Sequence, residues 1–227
     1  MFSEKLNLLK EKNLLRRIYD RESPQGPRIL LKGQESISFS SHDYLGLAGH
    51  PYIINTATES MSRYGFGAGA SRLLSGGSIL HHQLEEKIAQ FKNTEAALVF
   101  NSGYAANTGI IPALADRDTV LFSDELNHAS IIDGCRLSNA ETVVYNHKDV
   151  MHLEECLKKK AATKKVIVTD TIFSMNGDIA PLREIVRLCR TYNAYLYIDE
   201  AHATGVIGKG KGALAHFDID PEPWIIQ

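Results

Sequence analysis

Cysteine is scarce here and none of it is paired in sequence: Cys135, Cys156 and Cys189 are odd in number, far apart and outside any C-x-x-C pair. That spacing excludes a disulfide framework and offers no zinc site, so reduced structural thiols and no metal are expected. Long apolar runs are missing as well. No stretch approaches the roughly 18 residues that a membrane span requires, and the N-terminus has no signal-peptide apolar region. A cytoplasmic protein with no membrane partner is the expectation. Charge of one sign is not in excess either, since the formal net charge is −2 with no basic block. Nucleic acid is therefore not expected as a partner.

What is present is an ordinary globular composition, 44% hydrophobic and 23% charged over 227 residues, enough for one substantial core. Leu6, Leu9, Leu14, Leu15 and Ile18 recur at three- and four-residue steps and predict an amphipathic helix over residues 3–19. Pro24, Gly26 and Pro27 end it, and the apolar residues at 28–31 and 37–39 predict a small hairpin around Gly33. A helix is expected from Pro51. The glycine-rich stretch at 65–77 follows a helix rather than a strand, so it reads as a ligand-contacting loop and not as a dinucleotide fingerprint. Leu80, Leu84, Ile88 and Phe91 then mark a helix capped by Ser78.

From residue 96 the pattern alternates. Short apolar runs lie at 96–100, 119–122, 143–145, 166–169 and 195–198, the first four each followed by polar residues and a helical segment. Such alternation predicts an α/β protein with a mostly parallel sheet, helices on both faces and all strand-end loops on one rim. Ser102 and Gly103, His128, Ser174 and Asn176, and Asp199 with His202 all fall at those strand ends. A turn whose amides could hold a phosphate, an imidazole, a hydroxyl and an aspartate converging on one rim is the logic of a bound cofactor. The last run carries most weight, because Asp199 has no Lys or Arg beside it in sequence and so wants a cationic partner. A helix-capping aspartate is the plainer alternative. The segment 205–211 fits G-x-x-x-x-G-K only on paper: Gly212 stands where a phosphate loop needs Ser or Thr.

As a set, five segments resemble the α-oxoamine synthases, pyridoxal-phosphate enzymes of the aspartate-aminotransferase-like fold. They are Gly-Ala-Ser-Arg-Leu at 69–73, Ser-Gly-Tyr-Ala-Ala-Asn at 102–107, Asp-Glu-Leu-Asn-His-Ala-Ser at 124–130, Phe-Ser-Met-Asn-Gly-Asp at 173–178 and Asp-Glu-Ala-His-Ala-Thr-Gly at 199–205. The resemblance implies an N-terminal arm over residues 1–41 and a cofactor-binding large domain over 42–227. It implies that Ser102, Gly103 and Tyr104 contact pyridoxal 5′-phosphate, that His128 stacks on its ring near the substrate, and that Ser174 and His202 also contact it. Asp199 would face the ring nitrogen and Arg16 would meet the substrate, leaving His128, Asp199 and His202 as the catalytic set. The implied reaction is decarboxylative condensation of an amino acid with an acyl-CoA or acyl-carrier-protein thioester, by a homodimer. The biotin-pathway branch implies L-alanine and a pimeloyl thioester; glycine with acetyl-CoA is the alternative within the family, and a lysine-less binding or scaffold protein the alternative outside it. The family's Schiff-base lysine is expected in a Thr-x-x-Lys segment after the next strand, which these 227 residues do not reach, so a truncated chain without activity of its own is the expectation.

Overall fold

The apolar runs between residues 119 and 199 form one sheet, as the alternation predicts. The computed structural model describes residues 2–227 and divides into two compact units, residues up to Phe66 and Gly67–Gln227.

In the first unit, α1 (Phe2–Glu11) stops well before residue 19. Asn13 takes a left-handed φ of 55°, and the Leu14 amide turns back to the Leu9 carbonyl at 2.8 Å, closing the helix as an asparagine cap does. Strands β1 (Arg28–Leu31) and β2 (Gln34–Ile37) pair antiparallel across Lys32 and Gly33, both with positive φ. This two-residue turn sets Leu31 opposite Gln34, so the second strand starts earlier than its apolar residues suggest. Helix α2 (Pro51–Tyr64) begins on its proline as expected.

In the second unit, α3 (Ile79–Lys92) starts after Ser78, whose amide donates to His81 Nδ1 at 3.2 Å. The strand expected at 96–100 is not formed. Its Val99 amide donates to the Glu85 carboxylate at 2.9 Å, and Leu98 is 66% exposed. Strand character belongs to a pair, and no described strand lies alongside this run. Beyond it come α4 (Gly103–Leu114), β3 (Thr119–Asp124), α5 (Ala129–Leu137), β4 (Glu141–Tyr145), α6 (Val150–Lys159), β5 (Lys164–Asp170), α7 (Leu182–Tyr192) and β6 (Tyr195–Asp199). A short 3-10 turn, α8 (Ala213–His216) and β7 (Ile225–Ile226) follow.

All neighbouring strands of this sheet run parallel, in the order β4-β3-β5-β6-β7. Its two faces can be read along each strand. Val120, Phe122, Ile167, Leu196 and Ile198 pack with Leu153, Leu157, Leu182 and Leu188 of α6 and α7. Leu121, Val166, Val168 and Tyr197 pack on the other face with Ile111 of α4 and Ile131 of α5. Alternate residues thus bury themselves against different helices, which is why these strands read as unbroken apolar runs. The order also fixes where a ligand belongs. The chain winds outward in opposite directions from the β3/β5 boundary, and the crevice beyond the carboxyl ends of those two strands is the switch point of the fold.

Candidate functional site

Three polar side chains stitch the switch point together. Asn127, buried just after β3, donates from Nδ2 to the Val168 carbonyl at 2.9 Å and accepts the Asp170 amide at 2.9 Å. Asp170, the last residue of β5, in turn accepts the His128 amide at 2.7 Å. His128 is the N-cap of α5, with Nδ1 accepting the Ser130 amide at 3.3 Å. The imidazole is exposed on the rim while its backbone amide is clamped to the end of β5.

Asp199 ends β6, opposite Asp170 in register. Its Oδ1 accepts the Ala201 amide at 2.9 Å, and its Oδ2 accepts Asn107 Nδ2 at 2.8 Å. Asn107 is fully buried on α4 and also donates to Ser130 Oγ at 2.8 Å, while Ser130 Oγ lies 2.7 Å from His128 Nδ1. Tyr197 Oη donates to Asn107 Oδ1 at 2.5 Å. One hydrogen-bonded chain therefore runs from the carboxylate of Asp199 to the imidazole of His128. Asn107, Asn127, Ser130 and Asp170 did not figure as site residues in the sequence; of these only Asn107, Asn127 and Ser130 lie within the quoted motifs, without a role.

The other predicted positions lie on the same unit with one exception. Ser102 is the N-cap of α4, accepting the Ala105 amide at 3.1 Å, so the amides of Gly103 and Tyr104 precede the first intrahelical bonds at the positive helix end. Tyr104 Oη donates to Asp133 at 3.0 Å. Ser174 is exposed in the loop after β5, and His202 is half-buried in the turn after β6. Arg16 is exposed and belongs to the first unit, in the irregular segment after α1.

Two charged clusters brace the loops around this rim. His147 bonds Asp124 through Nδ1 and Asp178 through Nε2, each at 2.9 Å, and Lys148 adds a third contact to Asp178 at 2.9 Å. Burial opposes the charged imidazole, yet the hydrogen bonds to both carboxylates outweigh it and hold His147 above its ordinary value. Below Asp199, buried Glu200 pairs with Lys92 of α3, accepts Thr204 Oγ1 at 2.9 Å and the Ala213 amide at 2.7 Å. Gly212, at φ +102°, lies so close to that carboxylate that a Cβ would collide with it. The glycine at 212 thus lets the loop close over an ion pair.

Asp170 is the electrostatic outlier. Burial, reinforced by the charges of Asp199 and Asp124 and opposed by the His128 amide, pushes its carboxyl up to about 7. A carboxyl raised on folding binds more protons in the native state between about pH 4 and pH 7, so the stability it contributes falls as pH rises through that window. Asp170→Asn keeps an oxygen for the His128 amide and removes the charge. We expect it to raise stability at about pH 8 by on the order of 2 kcal/mol and by much less at about pH 5. Thermal melts at the two pH values check this, and an equal shift at both would contradict it.

Comparison with known proteins places this geometry. The family model described as aminotransferase class I and II matches residues 34–227. A protein of Thermodesulfovibrio yellowstonii provisionally named 8-amino-7-oxononanoate synthase is 53% identical over all of this chain and 59% of its own length. The 8-amino-7-oxononanoate synthase of Thermoanaerobacter pseudethanolicus is 50% identical over 95% of this chain and 55% of its own. Among solved structures, a serine palmitoyltransferase from S. paucimobilis with a bound PLP–myriocin aldimine superposes with a TM-score of 0.89 at 31% identity, covering 96% of this chain and 58% of that one. The chain accordingly spans just over half the length of the relatives it matches. With a matching model over most of its length and a parallel sheet whose carboxyl rim carries Asp199 and His128, the chain belongs to the aminotransferase class I and II family.

Proposed function

We propose that the protein carrying this chain is a pyridoxal-phosphate-dependent acyltransferase of the α-oxoamine synthase type. It condenses L-alanine with pimeloyl-CoA or pimeloyl-acyl carrier protein to give 8-amino-7-oxononanoate in biotin biosynthesis. A new carbon–carbon bond joins the alanine α-carbon to the thioester carbonyl, the thiol carrier leaves, and the alanine carboxyl group departs as carbon dioxide. The single observation that carries this reading is the Asp199 carboxylate, held at the end of β6 by Asn107 and the Ala201 amide and joined to His128.

The residues fit pyridoxal phosphate on their donor chemistry. Gly103 and Tyr104 offer unpaired amides at the start of α4, suited to a phosphate, and Asn107 stands only four residues along the same helix, about 6 Å further by helical rise, holding the carboxylate suited to a protonated ring nitrogen. When bound, the cofactor supplies an electron sink for bond breaking at the amino-acid α-carbon. Asp199 would face the ring nitrogen and favour its protonated form. His128 would stack on the ring. His202 and Ser174 would contact the cofactor, and Ser102 caps the turn whose amides would hold the phosphate. Arg16, in the first unit, is the candidate substrate contact. The whole protein acts as a homodimer in the cytoplasm, and no helix among the described residues is long and apolar enough to cross a membrane.

The test is an assay of the full-length protein. Alanine with a pimeloyl thioester should release carbon dioxide and free carrier, and glycine with acetyl-CoA should be at least tenfold poorer in kcat/KM. The reverse preference overturns the substrate assignment, and failure to take up pyridoxal phosphate overturns the enzyme class.

A further inference from the structure

We infer that Asn107 and Ser130 are positioning residues that fix the tautomer of His128 through a one-way chain of donors beginning at Tyr197. The importance of that tautomer rests on the function proposed above, but the chain of donors does not. The direction of the bonds follows from which atoms can donate and, at the last step, from the Ser130 backbone amide that already donates to the same ring nitrogen. Asp199 Oδ2 is a carboxylate oxygen and can only accept, so the group of Asn107 facing it at 2.8 Å is the amide nitrogen. The carbonyl oxygen of Asn107 is thereby turned toward Tyr197, whose hydroxyl donates to it. The second hydrogen on Asn107 Nδ2 goes to Ser130 Oγ at 2.8 Å. Ser130 now has one proton left to give, and His128 Nδ1 stands 2.7 Å away.

His128 Nδ1 therefore receives two donors, the hydroxyl of Ser130 and its backbone amide at 3.3 Å. A proton on Nδ1 would meet the hydrogen of the Ser130 amide, and the Ser130 hydroxyl would have to turn its own proton away and accept instead. The neutral ring carries its proton on Nε2, the nitrogen on the far side from Ser130. Asn107 and Ser130 are 3% and 1% exposed, so water does not compete for these bonds. The arrangement also couples two strand ends that share no direct contact of this kind: what Asp199 accepts decides how the Asn107 amide lies, and that amide decides where the Ser130 proton points.

The experiment is nitrogen NMR of ring-labelled histidine in the protein free of added cofactor, with the His128 signals assigned by their loss in His128→Gln. The expected spectrum has a protonated Nε2 and an unprotonated Nδ1. Removing the hydroxyl in Ser130→Ala should shift the tautomer ratio toward Nδ1–H by about three- to tenfold. Tyr197→Phe, which leaves Asp199 to hold the amide orientation, should shift it much less. A wild-type His128 protonated on Nδ1 overturns the inference without any variant, and so does an unchanged ratio in a folded Ser130→Ala protein. Because the measurement needs no cofactor, it separates this inference from the proposed function. A protein that shows the Nε2–H form but never takes up pyridoxal phosphate would retain the relay and lose the enzyme assignment.

Discussion

Asp199→Asn is expected to lower kcat/KM of the full-length protein by about a hundred- to a thousandfold, the loss seen when one preorganised electrostatic partner is removed from a reacting centre. A neutral amide cannot favour the protonated ring nitrogen, and each pKa unit of that preference is about 1.4 kcal/mol. The fold should survive. Asp199 makes two hydrogen bonds, with the Ala201 amide and with Asn107, and the variant keeps one acceptor for them, so the structural cost is about 1–2 kcal/mol. Steady-state kinetics with circular dichroism on the same samples decide the matter. Wild-type turnover in a folded variant would remove Asp199 from the chemistry.

The largest effect on stability is expected from Gly134→Ala, where two arguments give opposite signs. Gly134 lies within α5, and alanine there should gain close to 1 kcal/mol from helix propensity alone. Space decides otherwise. A Cβ at this position would come within 2.7 Å of the Asn107 carbonyl oxygen and 3.0 Å of Ile111 Cδ1. The first neighbour is backbone, so the clash is relieved only by moving α4 away from α5. We expect a net loss of about 2–3 kcal/mol, the scale of overpacking in a core. Because Asn107 is the residue displaced, the bond to Asp199 should lengthen as well. Chemical denaturation measures the loss, and a stabilised variant would mean that the two helices are not in close contact at this point.

The architecture was largely readable because parallel strands are buried on both faces and helices follow them in strict alternation. The runs at 119–122, 143–145, 166–169 and 195–198 all became strands of one sheet. The exception is instructive. Residues 96–100 are likewise apolar but have no strand beside them among the described residues, and their amide at Val99 is taken by Glu85 instead. The N-terminal helix was read too long for a different reason: periodicity carries on through Leu14 and Ile18, whereas a single left-handed Asn13 stops the hydrogen bonding.

The sequence by itself determined which residues reach the rim, because a strand that ends in a polar residue delivers it to the carboxyl edge wherever that strand lies in the sheet. Asp199 and His128 follow from that rule, whereas the Ser102 turn comes after a run that forms no strand among the described residues. Only the tertiary structure decided that β3 and β5 are neighbours with the chain winding away on both sides, and hence where the crevice opens. It alone supplied Asn107, Asn127, Ser130 and Asp170 as the groups that hold the rim together. Their bonds join residues from 23 to 92 positions apart, and a hydrogen bond across strands leaves no local pattern of period or composition by which it could be recognised.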